Sequence, residues 1–148
     1  MIPPFTGSGN LPPGIHTAPW EEFAARFGRN PTRVRQLHGL AQAALSLREA
    51  GCTRLYVDGS FVTSKEEPGD FDACWDEDGV DRGRLDGVIL DLTEKRAAQQ
   101  AKFGGALFPA HLFDQGSGMT ILESYQIDPI SHQPKGIVML NPLDADRP

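Results

Sequence analysis

Apolar residues recur at helical spacing in the first third of the chain. Asn30 followed by Pro31 predicts a helix start, because asparagine caps the first turn and proline fits the first helical position. The apolar positions that follow, up to Gly51, are Val34, Leu37, Ala41, Ala44 and Leu45. We expect the arginines of this helix to lie off its apolar face: Arg33, Arg35 and Arg48. A shorter helix is predicted from Thr17 to Gly28, with an apolar face formed by Trp20, Phe23, Ala24 and Phe27.

Short apolar runs predict strands in the rest of the chain. Two of them, at 52–58 and 71–75, are bounded by glycine and polar residues. Apolar and polar residues alternate over 119–127, which predicts another strand, and 135–140 predicts a final one. The segments 85–92 and 94–102 fit helices better than strands. This order predicts an α+β fold, with a small mixed β-sheet and helices packed on one face.

The distribution of proline and glycine predicts the domain boundaries. Residues 1–16 are rich in both, which predicts an extended N-terminal arm without its own core. Residues 17–143 are then one domain, and residues 144–148 form a C-terminal tail. A chain of 148 residues is long enough for one substantial core.

Composition narrows the classes of function. The net charge of −6 argues against a surface coated with positive charge for nucleic acid, although a local basic site remains compatible with it. No apolar run approaches the length of a membrane span, and no secretory signal is visible, so we expect no membrane partner. Cys52 and Cys74 are predicted to be buried free thiols in a reducing compartment. We therefore expect a cytoplasmic protein.

Candidate chemistry concentrates in the segment 55–75. An apolar run ends in Gly59 and Ser60, and Asp70 and Asp72 then occupy alternate positions of the next run, so both carboxylates share one face. Two adjacent carboxylates repel each other unless a cation lies between them, and Mg²⁺ prefers carboxylate oxygens. A glycine lets the backbone approach a phosphate closely. Lys65 lies between the two motifs and either neutralises a phosphate or is simply solvated.

This segment also has a simpler interpretation. Asp70 and Asp72 are also compatible with a solvated hairpin, in which exposed acids protect an edge strand from further pairing. Glu123, at the centre of the predicted strand 119–127, either supplies a third acid to the site or points into solvent. The basic residues Lys95, Arg96 and Lys102 either bind a phosphate or RNA backbone or form a solvated helix face.

The ordered motifs resemble a known family. Gly59-Ser60, then Asp70-Phe71-Asp72 on the next strand, then a single later acid, is similar to the nucleotidyltransferase fold of the DNA polymerase beta superfamily. Its small members, the minimal nucleotidyltransferases and toxin-like proteins, are the closer likeness. The chain also resembles a bacterial and phage group with a Gly-Ser-Phe-Val-Thr and Asp-Phe-Asp core and a later Pro-Lys-Gly-Ile stretch, which stands here as residues 134–137.

The resemblance implies a role for each matching residue. Gly59 and Ser60 would hold the β- and γ-phosphates of a nucleoside triphosphate (NTP). Asp70 and Asp72 would bind two Mg²⁺ ions, and Glu123 would complete one ion site and assist as the base.

The implied reaction is transfer of a nucleoside monophosphate from the NTP to a hydroxyl acceptor on a protein, an RNA or a small molecule. A toxin–antitoxin or phage-defence role, with an antitoxin or other protein partner, follows from the small members alone. Two other hypotheses remain open: a catalytically inactive module of the same fold that binds nucleotide or protein, and a purely structural interaction module.

Overall fold

A five-stranded mixed sheet forms the centre of the protein. The computed structural model describes residues 1–144. The strands are β1 (Gly14–Thr17), β2 (Leu55–Asp58), β3 (Phe71–Trp75), β4 (Gly105–Pro109) and β5 (Gly136–Leu140). Their order across the sheet is β1-β5-β2-β3-β4. The outer pairs, β1 with β5 and β3 with β4, are parallel, whereas β2 is antiparallel to both of its neighbours. This arrangement confirms the small mixed α+β fold.

Four α-helices accompany the sheet within the described residues. They are α1 (Trp20–Phe27), α2 (Pro31–Glu49), α3 (Ala97–Phe103) and α4 (Ile121–Tyr125). Short 3₁₀ turns lie at Ser60–Val62, Arg82–Arg84, Gly87–Leu90, Glu94–Arg96 and Pro142–Asp144. The predicted start of α2 is confirmed, since the Asn30 side chain accepts a hydrogen bond of 2.9 Å from the backbone N–H of Arg33.

The main core lies between one face of the sheet and helices α1, α2 and α3. Phe23 and Phe27 of α1 pack against Phe61, with ring centroids 5.9 and 6.1 Å from that of Phe61. The sheet contributes side chains at alternate positions, including Phe71, Ala73 and Trp75 of β3, all fully buried. The intervening residues of β3, Asp72 and Cys74, point to the other face, because successive side chains of a strand alternate between the two faces.

The second face carries a smaller apolar cluster beneath α4. Ile121, Leu122 and Tyr125 of α4 pack near Tyr56 and Cys74 of the sheet. The prediction that the helices pack on one face therefore holds for α1–α3 and is wrong for α4. Cys52 and Cys74 are buried free thiols, as expected. Burial raises the pKa of the Cys52 thiol to about 11 and that of Cys74 further, so neither is a ready nucleophile at neutral pH.

The N-terminal segment belongs to the fold rather than forming an arm outside the core. Ile2 and Leu11 are buried with the main core, and β1 adds a parallel edge strand to β5. Gly136 is the first residue of β5 and lies where the N-terminal segment crosses that strand. A Cβ at Gly136 would lie 2.0 Å from the carbonyl oxygen of Pro12. The predicted C-terminal tail, residues 144–148, lies outside the described residues apart from Asp144. Within residues 1–144 no helix is long and apolar enough to cross a membrane.

Arg33 corrects the expectation that the arginines of α2 lie off its packed face. Its side chain is fully buried. The guanidinium donates hydrogen bonds to backbone carbonyl oxygens of the α1 end and of the loop after β2, namely those of Phe27, Ser60, Phe61, Thr63 and Lys65. A buried charge is tolerated here because several carbonyl dipoles surround it. The loop between β2 and β3 is thereby fixed to α2.

Candidate functional site

The predicted acids meet a third carboxylate at the junction of β2 and β3. Asp58, the last residue of β2, lies directly opposite Asp72 in the antiparallel ladder. Both side chains point to the face that carries Tyr56 and Cys74, because they occupy alternate positions on their strands. Asp70 lies two residues before Asp72, at the entry to β3. The structure therefore brings Asp70 and Asp72 together and adds Asp58, which the sequence analysis missed.

The Gly59-Ser60 turn lies against this acid group. Gly59 has φ of 81°, in the left-handed region that favours glycine. A Cβ at Gly59 would be 2.5 Å from Oδ2 of Asp72, so a larger residue would collide with the carboxylate. Ser60 begins the short 3₁₀ turn that follows. The two predicted motifs consequently form one continuous site.

Asp72 has an electrostatic environment that disfavours its charge. Burial, and then the neighbouring charge of Asp70, raises the pKa of Asp72 to about 6, while Arg96 opposes the shift. No described residue donates a hydrogen bond to the Asp72 carboxylate. Asp70, by contrast, accepts a hydrogen bond of 2.8 Å from Nε2 of Gln100 on α3. A partly buried carboxylate without a donor is stabilised by a cation or by a proton.

Arg96 is held near the acids by an unusual backbone. Glu94, Lys95 and Arg96 have φ of 52°, 54° and 62°, so three successive non-glycine residues are left-handed. Such conformations cost on the order of 1–3 kcal/mol each and are concentrated at functional sites. The Arg96 guanidinium stacks over Phe108 of β4 at 5.2 Å, and its Nε is buried without a hydrogen-bond partner among the described residues.

The basic cluster predicted from the sequence is divided in the structure. Arg96 lies close enough to Asp72 to affect its pKa, whereas the Lys102 ammonium pairs with the Asp86 carboxylate. Lys95 is exposed on the left-handed segment. Of the three residues, Arg96 is therefore the one that the structure associates with the acid group.

Asp58 is compensated by a buried lysine. The Lys135 ammonium pairs with the Asp58 carboxylate, and both residues are buried. Lys135 immediately precedes β5, which is the neighbour of β2 in the sheet. Lys135 belongs to the Pro-Lys-Gly-Ile stretch that carried part of the resemblance. That stretch, together with the position of Asp58 directly before the Gly-Ser turn, was the signal that could have identified this pair.

Tyr125 of α4 covers the same face. Its hydroxyl donates a hydrogen bond of 3.3 Å to the carbonyl oxygen of Ala73. Burial, and then the charge of Asp72, raises the pKa of Tyr125 well above its usual range. The phenol therefore stays protonated at neutral pH and acts as a hydrogen-bond donor beside the acids.

Glu123 is not on a strand, because residues 121–125 form α4 instead. The predicted strand over 119–127 is wrong. Thr120 caps the helix, and its backbone N–H and hydroxyl both donate 3.0 Å hydrogen bonds to Oε1 of Glu123, which completes a capping box. These hydrogen bonds lower the pKa of the exposed Glu123 carboxyl. The structure thus gives Glu123 a local role and does not bring it beside Asp70 and Asp72 on a neighbouring strand.

Lys65 contributes its backbone rather than its side chain to the described contacts. Its carbonyl oxygen accepts hydrogen bonds from Arg33 and from Arg29, whereas its side chain is exposed at the surface of the loop. Among the described residues no contact joins its ammonium to the acids, so the prediction that Lys65 either neutralises a phosphate or is solvated stays open.

The comparisons with known proteins identify one family. No curated protein and no solved structure matches the chain. A family model described as a family of unknown function, DUF6932, matches residues 3–141. That match includes all five strands, the Gly59-Ser60 turn, the acid group and Lys135. The chain therefore belongs to the DUF6932 family.

Proposed function

We propose that the acid group and the Gly59-Ser60 turn bind an NTP together with Mg²⁺, and that the protein transfers the nucleoside monophosphate to a hydroxyl acceptor. The observation that carries this proposal is the contact between the turn and Asp72. A phosphate-binding turn and a carboxylate ligand are useful for this chemistry only when they are adjacent, and here no side chain fits between them.

The donor groups suit a hard divalent cation. Asp70 and Asp72 offer carboxylate oxygens on one face, and the Asp72 carboxylate has no hydrogen-bond donor among the described residues. Bound Mg²⁺ would neutralise phosphate charge during transfer. Gly59 and Ser60 would hold the phosphates through the backbone, and Arg96 would contribute a fixed positive charge. Lys65 would add a second, mobile one.

The two candidate functions differ in whether a third acid joins Asp70 and Asp72 in binding metal. A site with two Mg²⁺ ions requires another carboxylate, and Glu123 is held in its helix cap while Lys135 neutralises Asp58. If one of these acids is released when the NTP binds, the protein is an active nucleotidyltransferase. If both stay engaged, it is an inactive nucleotide-binding module of the same kind, and the buried Asp58–Lys135 pair favours this second candidate.

The acceptor and the biological setting rest on the resemblance alone. A protein side chain, an RNA 3′ end and a small molecule are all compatible with the proposal. So is a toxin–antitoxin or phage-defence role with a partner protein. The two buried free thiols fit a reducing compartment, and the proposal places the protein in the cytoplasm.

Calorimetry with each of the four NTPs in the presence of Mg²⁺ tests binding. We expect heat of binding with at least one NTP, its loss when Mg²⁺ is removed, and its loss in Asp70→Ala/Asp72→Ala. Asp91→Ala/Asp114→Ala serves as the matched control, because it removes two acids from other turns. Absence of binding for every NTP would contradict both candidate functions.

Incubation of the protein with α-³²P-labelled NTPs and a cell lysate tests transfer. An active enzyme labels protein, RNA or a small molecule, and Asp70→Ala/Asp72→Ala abolishes that labelling. Nucleotide binding without any difference in labelling between the wild type and this variant would identify the inactive module.

A further inference from the structure

The end of β3 remote from Asp70 and Asp72 carries a second group of titratable side chains. Asp76 and Glu77 directly follow β3, and His111 lies two residues beyond the end of β4. The two strands are parallel and their register pairs Trp75 with Pro109. Because the carboxyl ends of parallel neighbours meet at one edge of a sheet, this topology brings the two acids beside the histidine.

The side chains of Asp76, Glu77 and His111 converge. Nδ1 of His111 is 3.2 Å from Oε1 of Glu77 and 4.0 Å from Oδ1 of Asp76. One ligand atom from each residue lies within 4.8 Å of the others. Two carboxylates with one imidazole form a donor set that suits borderline divalent metals such as Zn²⁺. The purely carboxylate pair at Asp70 and Asp72 suits Mg²⁺ instead.

Backbone hydrogen bonds orient two of the three side chains. The backbone N–H of Asp78 donates to Oδ1 of Asp76 at 3.0 Å, and the backbone N–H of His111 donates to Oε1 of Glu77 at 3.2 Å. Groups that orient metal ligands in this way raise the affinity of a site. Asp76 is only 7% exposed, so its direction is set by the fold rather than by solvent.

The local charge is negative. Arg54 is 3.3 Å from Oδ2 of Asp76, but 55% of the Arg54 side chain is exposed, so water screens this ion pair. Glu77 and the neighbouring Asp78 add two further carboxylates. Even with Arg82 in the adjoining cleft, three carboxylates stand against two arginines, so a divalent cation would meet a net negative charge at this edge of the sheet.

A cleft opens beside the cluster. Its volume is about 350 Å³, and Glu77 and His111 form part of its wall. Much of the rest is apolar, including Ile89 and Leu112, and Arg82 supplies a positive charge. A metal with three protein ligands keeps at least one coordination position for water or another ligand. Since two of the three ligands line the cleft, that position would face it.

We propose that Asp76, Glu77 and His111 bind a divalent metal ion of the Zn²⁺ class, with its open coordination position facing the cleft. This site is separate from the proposed nucleotide site. Asp72 lies on β3 and Asp76 directly follows its end, so four residues of extended chain separate them by roughly 13 Å.

Calorimetric titration of the tag-free full chain with ZnCl₂, and separately with MgCl₂, tests the metal site. We expect one Zn²⁺ per chain and no comparable heat with Mg²⁺. His111→Ala should weaken Zn²⁺ binding by more than about 10-fold. His38→Ala is the matched control, since it removes an exposed histidine from α2 and should leave Zn²⁺ affinity unchanged.

Thermal unfolding tests the metal site even when a variant is less stable than the wild type. Zn²⁺ should raise the unfolding midpoint of the wild type and of Asp70→Ala/Asp72→Ala, but not that of His111→Ala or Glu77→Gln. No Zn²⁺-dependent heat or midpoint shift in the wild type would overturn the proposal, as would unchanged binding in His111→Ala. Loss of Zn²⁺ binding in Asp70→Ala/Asp72→Ala, with the fold intact, would assign the ion to the other acid group.

Discussion

Asp58 and Asp72 face each other across one rung of the β2–β3 ladder, although like charges in directly opposite positions destabilise a sheet. The two carboxylates are satisfied in different ways. Asp58 is paired with the buried Lys135, while Asp72 has a raised pKa and no hydrogen-bond donor among residues 1–144. One acid of the pair is therefore neutralised within the fold, and the other is available to a ligand.

Removal of Lys135 should be strongly destabilising. Lys135→Met leaves the Asp58 charge buried without a partner, which typically costs about 3–5 kcal/mol in the free energy of unfolding. The double variant Asp58→Asn/Lys135→Met should recover most of this loss, because it removes both charges. Urea unfolding measures all three proteins, with Lys65→Met as the control at an exposed lysine. A loss below about 1 kcal/mol for Lys135→Met would contradict a buried ion pair.

The raised pKa of Asp72 predicts a specific dependence of stability on pH. The folded state holds the Asp72 proton more tightly than the unfolded chain, so the contribution of this group is complete below pH 3.8 and is lost as the pH rises through about 6. Asp72→Asn should therefore raise the free energy of unfolding at pH 7 by on the order of 2 kcal/mol.

This difference should shrink as the pH falls from 6 and disappear well below pH 3.8, where Asp72 is protonated in the folded and the unfolded state alike. Urea unfolding at a series of pH values between about 3 and 7 measures the effect, and Glu49→Gln, at an exposed acid of α2, is the control. A stability difference that stays constant over this range would show that Asp72 is not the group responsible.

Gly59 should not tolerate a side chain. Gly59→Ala introduces a Cβ at a positive φ and against Oδ2 of Asp72, so we expect a loss of about 1–3 kcal/mol in stability together with weaker NTP binding. Gly69→Ala is the control in the same loop, because a Cβ there meets nothing within 4 Å. Denaturant unfolding and calorimetry with NTP and Mg²⁺ measure the two effects. Equal behaviour of the two variants would contradict the contact between the turn and the acid.

The helix-capping role of the Glu123 side chain and a catalytic role of its charge can be tested separately. Glutamine also completes a capping box, so Glu123→Gln should keep the stability of the wild type, whereas Glu123→Ala should lose about 1 kcal/mol. If the cap is the only role of Glu123, NTP-dependent labelling persists in Glu123→Gln at the wild-type level. Loss of labelling in this variant, with stability unchanged, would restore Glu123 to the catalytic acids.

The local elements with strong signals were predictable from the sequence. Asn30 and Pro31 mark the start of α2, and the alternation around Asp70 and Asp72 predicted β3 with both carboxylates on one face. The segment 119–127 shows the limit of alternation as a criterion. Over nine residues its pattern fits a strand, yet Thr120 and Glu123 have the spacing of a capping box, and that local signal determined the structure.

The residues that the sequence analysis misplaced depend on contacts between distant segments. Arg33 is buried because carbonyl oxygens about 30 positions later surround it, and Lys135 is buried because Asp58 lies on the neighbouring strand. No local pattern indicates burial of Arg33, and at Lys135 the Pro-Lys-Gly-Ile stretch was the one local signal. Similarly, β1 forms from a segment rich in proline and glycine because β5 offers an edge with which it can pair.

Arg33 also has a consequence for the thermodynamics of ligand binding. Its guanidinium holds the carbonyl groups of Phe61, Thr63 and Lys65 before any ligand arrives. A phosphate would therefore meet a turn of fixed conformation, and association would lose little conformational entropy in the backbone of this loop. The favourable contacts at the turn would then be offset by little ordering of the loop, and the loop itself would impose no slow ordering step on the rate of binding.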